Sequence, residues 1–467
     1  MFRSVDTPGD LASPCRPMRL PDPLASRRGR LAAFFLLYVT EGIPLGFVAT
    51  AIATQMRRQG LGPAEIGAFV GSFYLPWSFK WVVGPFVDVF SSDRFGRRRL
   101  WIVLAQTMMV VTLMVAWPVN FSTETRLFTI LLLFHNIFAA TQDVAIDALA
   151  VNVLRDDERG LANGLMFSGA YIGQAVGGSG VLFLAPLLGF SNTYFFVAAM
   201  ILLVTVTIAL PMREPRGPAR PLREGSAVGA AVRELGRFVS DAWRAFSGTR
   251  AAWVGVFQAL LPPGAFALGL ALQSNLAVEL GLSDPQVALL NLWSTIVSAL
   301  ACVAGGWLSD RFGRRRALAL YVFGTTLPTF YLAWVMHQHG WIMPVSTTMP
   351  NRPVPAPALV SVFWAAVLVY NVFQGLYYGT RAALFMDITT KAVAATQFTA
   401  YMAMQNLVIW YTANWQGWLV ERWGYPRTLV VDCLFGLVGI GLLPFMNPVR
   451  KSEPPPVGAA VPEAIEP

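Results

Sequence analysis

The sequence predicts an all-α polytopic membrane protein with twelve transmembrane helices in two six-helix halves. Three observations carry that expectation. Of the 467 residues, 55% are hydrophobic and 13% charged, with a mean hydropathy of +0.53; a typical soluble domain is about 25% charged. The apolar residues gather into runs of about 20, the length a helix needs to cross a hydrocarbon core about 30 Å thick. The string Asp-Arg-Phe-Gly-Arg-Arg-Arg occurs twice, at 93–99 and at 310–316.

The apolar segments fall at 31–55, 64–90, 100–119, 127–150, 160–188, 191–211, 252–278, 285–308, 317–337, 358–388, 396–420 and 427–447. Residues 1–30 are rich in Pro, Arg and Asp with no apolar stretch, so they are expected to be a cytoplasmic segment and not a signal peptide. Residues 31–211 form the expected first six-helix bundle and 252–447 the second. Between them, 212–251 is a polar linker. In it Val228, Val232, Leu235, Val239, Trp243 and Phe246 recur at helical spacing while Arg233, Glu234, Arg237 and Arg244 take other faces. That pattern predicts an amphipathic helix lying on the inner membrane surface. The stretch 338–357 holds five prolines and reads as an extended outer loop, and the Pro-rich 448–467 reads as a disordered cytoplasmic tail.

Charge fixes the orientation. With both termini inside, the large majority of the 35 lysines and arginines fall on inner segments, as the positive-inside rule requires. Arg57 and Arg58, in the first outer loop, are the local exception. The net charge of +9 therefore needs no nucleic acid partner. Cys15, Cys302 and Cys433 are far apart and support neither a disulfide framework nor a metal site. None of the three lysines, Lys80, Lys391 and Lys451, stands in a phosphate-binding glycine loop, and HExxH is absent. ATP hydrolysis is thereby excluded, His337 and His339 alone do not make a zinc site, and no cofactor is called for.

The repeat, at an offset of 217, follows the second helix of each set of six. A weaker echo relates His135-Asn136-Ile137-Phe138 to Tyr370-Asn371-Val372-Phe373. Halves related in this way are a transporter architecture with its substrate site at the midplane between them. The run Gly306-Trp307-Leu308-Ser309-Asp310-Arg311-Phe312-Gly313-Arg314-Arg315 resembles the signature loop between helices 2 and 3 of the major facilitator superfamily, repeated between helices 8 and 9. The first copy, preceded by Gly84 and Asp88, has a longer spacing. The resemblance implies a cytoplasmic gate at Asp93, Arg94, Arg97, Asp310, Arg311 and Arg314. Glu41-Gly42-Ile43-Pro44-Leu45-Gly46, Leu75-Pro76-Trp77-Ser78-Phe79-Lys80, Ala140-Thr141-Gln142-Asp143-Val144-Ala145-Ile146-Asp147-Ala148 and Ala395-Thr396-Gln397-Phe398-Thr399-Ala400 resemble the AmpG-type permeases. That subgroup also holds acetyl-CoA transporters and certain siderophore permeases. It implies a proton-driven importer of anhydro-muropeptides.

Charges inside a bilayer cost several kcal/mol, so each is a functional candidate. At 1.5 Å per residue, Glu41, Lys80 and Asp143 fall in one layer roughly 15 Å from the inner surface. Asp147 shares the face of Asp143, four residues on. Glu41, Asp143 and Asp147 are the expected proton-coupling groups, because protonating a carboxylate changes the pairing of Lys80. A static buried cluster holding three helices together is the competing reading. In the tenth segment Asn371, Gln374, Tyr378 and Arg381 lie at i, i+3, i+7 and i+10, one stripe of a helix. With Lys80 they are the expected substrate-binding residues, Arg381 gripping an anion and Tyr378 stacking on sugar or acyl surface; interhelical hydrogen bonding is the alternative. Gln258, Gln273 and Asn275 are weaker candidates. Gly169, Gly173, Gly177 and Gly178 permit a close helix crossing. His135 could titrate or be structural.

The expected function is a proton-coupled secondary transporter of the bacterial inner membrane. It would work as a monomer and import an anionic organic solute of muropeptide type by alternating access. Its expected partners are that solute, protons and the lipid bilayer, with no metal. A siderophore or acyl-CoA carrier is the alternative on the same fold, and a non-transporting membrane assembly factor the alternative of another class.

Overall fold

The computed structural model describes residues 22–90, 95–155, 158–214, 226–389 and 394–447; the tail from 448 and most of the segment 1–30 lie outside them. The regular structure of the described residues is all helical. Numbering the long helices as they cross, α1 is Arg27–Arg58, α2 is Pro63–Ser78 continued by Lys80–Val89, α3 is Arg99–Ala116 and α4 is Thr125–Val153. Next come α5 (159–188) and α6, Phe190–Ala209. The linker helix, Ala227–Ser247, precedes α7, which is Arg250–Ala259 and Ala271–Glu279. Then follow α8 (Asp284–Phe312), α9 (Arg314–Gln338), α10 (Pro357–Ile388), α11 (Ala394–Trp423) and α12 (Tyr425–Phe445).

Nine of these, among the described residues, are unbroken and apolar enough to cross a membrane by themselves. The other three of the expected twelve are α2, α7 and α11. The first two are interrupted, and α11 is studded with Thr, Gln and Asn and ends in Glu421 and Arg422. α9 shows why the bundle needs lipid: Leu320, Phe323, Leu327, Phe330 and Trp334 form one exposed apolar stripe, the face a bilayer covers.

The expected seventh helix, 252–278, is not continuous. Pro262 and Pro263 lack backbone N–H groups, and Gly264 adopts φ +94°, a conformation an L side chain resists. The helix stops at Ala259 and resumes at Ala271. α2 breaks at Phe79 between Pro76 and Pro85, where Phe79 N–H bonds to the Pro76 carbonyl (3.1 Å) and Val82 N–H to that of Phe79 (2.9 Å). These tight i to i+3 turns set Lys80 at the start of the second piece.

The glycines of α5 act as expected for close packing, and their partner is α1. A Cβ on Gly42 would run into the Ala170 carbonyl, one on Gly173 into that of Val39, and one on Gly177 into that of Ile43. In the second half Gly305 meets the Leu376 backbone and Gly375 that of Ser298, which brings α8 and α10 together.

We call the end where α1 begins the near end and its opposite the far end. At the near end the linker helix touches both halves. Phe238 stacks on Trp81 of α2, Trp243 meets Trp253 of α7, and Phe246 meets Tyr401 of α11. The apolar residues of this helix do not share one environment: Phe246 is buried, whereas Val228, Val232, Val239 and Trp243 stay exposed. At the far end polar contacts join the halves directly, and they account for the two out-of-place arginines. Arg57 pairs with Glu279 (2.5 Å) and Arg58 with Asp284 (2.5 Å). The Pro-rich loop lies over this junction. Arg57 donates to the Val345 carbonyl (2.7 Å), Thr347 to that of Arg57 (2.6 Å), and Arg352 to those of Val278 and Glu279.

Candidate functional site

α1, α2 and α4 bring four intramembrane charges together. Lys80 Nζ lies 2.7 Å from Asp143 Oδ2 and 5.7 Å from the centre of the Trp77 ring. Asp147, one turn along α4, accepts a hydrogen bond from the Tyr38 hydroxyl (2.5 Å). Glu41, one turn along α1 from Tyr38, has Asp143, Lys80 and Asp147 as its charged neighbours. Its Oε2 is buried and has no hydrogen-bond donor. Glu41, Lys80, Asp143 and Asp147 thus stand together as one cluster, with Tyr38 as a member that periodicity alone did not single out. Tyr38 carried a signal all the same, a hydroxyl three residues from Glu41 in an otherwise apolar helix.

Uncharged polar groups brace the cluster. Thr40 Oγ1 accepts from Gln106 Nε2 (3.1 Å) and Gln142 Nε2 (3.0 Å), and Thr205 donates to Gln106 Oε1 (2.8 Å). Trp77 Nε1 donates to Asn136 Oδ1 (2.8 Å), while Asn136 bonds the Phe73 carbonyl. His135 is buried against α3, with Nδ1 near the Met109 carbonyl (2.9 Å) and the Thr112 hydroxyl (3.0 Å). Nearly every donor here meets an acceptor, as a low-dielectric interior demands. Glu41 Oε2, Gln142 Oε1 and His135 Nε2 are the buried atoms of this group left without a partner.

The α10 stripe divides three ways. Asn371 turns to α8: its Nδ2 donates to the Val367 carbonyl (2.8 Å) and its Oδ1 accepts from Ser298 (3.0 Å). Gln374 lies beside the α7 break and near Tyr377. Tyr378 faces the first half, within electrostatic reach of Glu41 and Lys80, and is 46% exposed. Tyr74 and Tyr171, on α2 and α5, neighbour it. Arg381 is buried and turned to α7. Its Nε donates to Gln258 Oε1 (3.2 Å), Nη1 to Gln405 Oε1 (3.1 Å), and Nη2 to the carbonyls of Gln258 (2.8 Å) and Leu261 (3.1 Å). Asn275 is fully buried with neither side-chain polar atom bonded.

Of the gate residues, Asp93 and Arg94 lie outside the described residues, and Arg97 sits in the near-end turn before α3. The second copy is well described. Arg314 bridges Asp310 (3.0 Å) and Asp387 (2.6 Å), joining α8, α9 and α10, while Arg311 stacks on Trp307 at 3.9 Å from the ring centre. All these contacts stay within the second half. Sequence reasoning passed over Glu279 and Asp432, both fully buried. Each is a carboxylate in or at the end of an apolar segment, which was signal enough.

The sequence and the fold are similar to those of known transport proteins. The anhydromuropeptide permease of Escherichia coli K12 is 25% identical over 425 residues, covering 89% of this chain and 79% of the permease. A putative transporter AmpG 4 of Rickettsia conorii is 22% identical over 423 residues, covering 90% of this chain and 96% of its own. Among solved structures, a D-xylose-proton symporter superposes with a TM-score of 0.66 at 14% identity, over 88% of this chain and 96% of that one. A POT family transporter in complex with a thioalcohol-conjugated peptide superposes with a TM-score of 0.66 at 10% identity, over 89% and 95%. These structures speak for the fold, and the sequence relatives are permeases and transporters, not enzymes. The sequence profile of the Major Facilitator Superfamily runs from residue 31 to residue 413, through the first half and into α11 of the second. Twelve segments, a repeated near-end motif and that profile together mean that the chain is a multi-pass membrane transporter belonging to the Major Facilitator Superfamily.

Proposed function

We propose that this transporter couples the import of an anionic organic solute to protons, and that the solute is of anhydro-muropeptide type. One observation carries the coupling: Lys80 is paired to Asp143 beside a second carboxylate, Glu41, that has a buried oxygen without a donor. Protons satisfy such a group best. When a proton adds to Asp143 the Lys80 ammonium loses its closest charged partner, and an anionic solute supplies a further one. Glu41 and Asp147 are the alternative stations for the same proton. On the second half, Tyr378 and Gln374 are the contacts assigned to the solute, Tyr378 because it reaches toward the charged cluster while staying accessible. Asn371 and Arg381 have acceptors and donors within their own half and are not given that role.

The E. coli relative supports the solute class, since it is described as an anhydromuropeptide permease. The near end is assigned to the cytoplasm on the distribution of Lys and Arg, with both termini there and the linker helix at the inner surface of the bacterial inner membrane. The halves 31–211 and 252–447 are assigned as the two bodies that rock about the site, so a single chain suffices.

Asp143→Asn tests the coupling. Reconstituted protein should lose uphill accumulation of labelled anhydro-muropeptide while exchange of the same solute without net proton flow survives. Melting in detergent should change little, since Glu41 and Asp147 still surround Lys80. Uphill uptake at the wild-type level would remove Asp143 from the coupling. Loss of folded protein would favour a static pair, because an unmatched buried charge costs about 3–5 kcal/mol.

A further inference from the structure

A break inside a membrane helix leaves carbonyls and N–H groups that lipid cannot satisfy. In α7 the break spans 260–270, and four neighbouring helices supply the missing partners. The carbonyls at the end of the first piece go to cations and hydroxyls: Gln258 and Leu261 to Arg381 Nη2, and Leu260 to the Tyr411 hydroxyl (2.6 Å). The N–H groups beyond the turn go to acceptors. Phe266 (2.7 Å) and Ala267 (2.9 Å) bond the same oxygen of Asp432, Ala265 bonds Thr325 Oγ1 (3.0 Å), and Gly264 bonds the Gly436 carbonyl (3.2 Å). Gln416 Nε2 occupies the other Asp432 oxygen (2.7 Å). The positive group thus meets the negative end of the first piece, as the peptide dipoles favour, and the carboxylate holds the N–H groups that open the short turn Ala267–Gly269 leading into the second piece.

We propose that Arg381 and Asp432 are positioning residues for transport: as a pair of caps they hold α7 broken at 260–270 and thereby set the piece 271–279. That second piece carries the contacts to the first half, Ser274 with the Ala49 carbonyl and Glu279 with Arg57. The first piece is anchored at the near end through Trp253 and through Ala252, whose carbonyl accepts from Tyr401 (2.9 Å). The break is the joint between a near-end anchor and a far-end latch, and its caps decide the angle at which the two meet. The proposal needs the chain to be a transporter. It does not depend on the solute or on protons.

The test is hydrogen–deuterium exchange on the full chain in detergent, read on peptides covering 255–270 and 271–279, with Arg381→Ala, Arg381→Lys, Asp432→Asn and Tyr411→Phe. Exchange over 255–270 should quicken roughly tenfold or more in Arg381→Ala and Asp432→Asn, the worth of a charge-assisted hydrogen bond. It should quicken less in Arg381→Lys, which restores one donor. Unchanged exchange over 255–270 in Arg381→Ala would overturn the proposal. If that variant does not fold, Tyr411→Phe and Arg381→Lys decide in the same way, by the presence or absence of faster exchange there. Counterflow of labelled anhydro-muropeptide adds a split: capping predicts lower maximal rate with half-saturation within about threefold, partly rescued by lysine, whereas a solute ligand predicts raised half-saturation. Wild-type protein that fails to move this probe would refute the solute reading and leave the exchange result to decide this one.

Discussion

Glu279→Gln probes the far-end latch, and its size follows from the contacts. Arg57 and Glu279 lie 2.5 Å apart with side chains 3% and 0% exposed. Glu279 also accepts from the Tyr425 hydroxyl (2.5 Å) and from Val345 N–H (3.1 Å). Removing one member of a buried pair costs about 3–5 kcal/mol. Glutamine keeps the shape, and its single oxygen can keep the Oε1 roles toward Tyr425 and Arg57, while its NH2 replaces the oxygen that held Val345 N–H. Arg57 keeps the carbonyls of Leu61 (2.7 Å) and Val345 (2.7 Å). What is lost is the charge in the Arg57 bond and the bond to Val345 N–H, together about 2–3 kcal/mol. That loss falls on the state in which the pair is dry. Where the halves part at the far end, water hydrates both groups and the substitution costs little. The balance should therefore move toward the far-open state by a factor of about 30–150, at 1.4 kcal/mol per tenfold. Thr50 bonds Asn291 across the interface and is buried. A single cysteine placed at Thr50, with the native cysteines replaced, should react with an impermeant maleimide at least about tenfold faster in Glu279→Gln. Unchanged labelling together with a lowered melting temperature would refute the reasoning, because the pair would then stabilise the fold and not one state of it.

Gly42→Ala should destabilise by about 1–3 kcal/mol through overpacking, since the new methyl meets the Ala170 carbonyl. Gly236→Ala, with open space around it in the linker helix, should be neutral or stabilise by up to about 1 kcal/mol; thermal melts of the two variants check the contrast. Glu158, in the near-end loop, accepts from Arg30 at 2.9 and 2.5 Å, and these bonds hold its carboxyl below the usual carboxylate range. A depressed value contributes stability above the ordinary pKa that is lost as pH falls. The melting-temperature gap between wild type and Glu158→Gln should therefore narrow below about pH 5, and a gap constant down to pH 3 would contradict it. Asp310→Asn should slow counterflow while equilibrium binding of labelled anhydro-muropeptide stays near wild type, because Asp310 is largely exposed and bonds Arg314 at the near end; weakened binding with normal turnover would contradict that.

Helix positions were legible because burial in lipid imposes long apolar runs. The expected 285–308 and 358–388 correspond to Asp284–Phe312 and Pro357–Ile388. The charged cluster was legible for a related reason: few charges enter the membrane, and depth along each helix aligns those that do. The α7 break went unread although Pro262-Pro263-Gly264 announces it, because the hydropathy of the segment stays high across the turn. Which way the α10 stripe points was not legible. Helical spacing puts Asn371, Tyr378 and Arg381 in one sector, and the neighbours on α8, α1 and α7 then draw them apart. Arg57 and Arg58 looked like exceptions to the charge rule because their partners, Glu279 and Asp284, lie more than 200 residues away.

The two halves hold their buried charges differently, and under the proposed function the difference would divide the work. In the second half Arg381 meets several carbonyls and two glutamines, and both Asp432 oxygens are occupied. Changing protonation there would strand backbone groups in lipid, a penalty of several kcal/mol, so these charges suit a fixed mechanical task. In the first half Lys80 has one close partner and is 18% exposed, and Glu41 keeps an unmatched oxygen. A proton added to that cluster relieves crowding among three carboxylates and breaks no backbone cap. Under the proposed function, coupling would be cheap in the first half and expensive in the second. This asymmetry separates the two roles, so Asp143→Asn and Asp432→Asn should fail in different ways. The first should lose accumulation and keep exchange, and the second should slow accumulation and exchange together. Equal loss of accumulation alone in both variants would show that the second half also carries the coupled proton, and would undo this division.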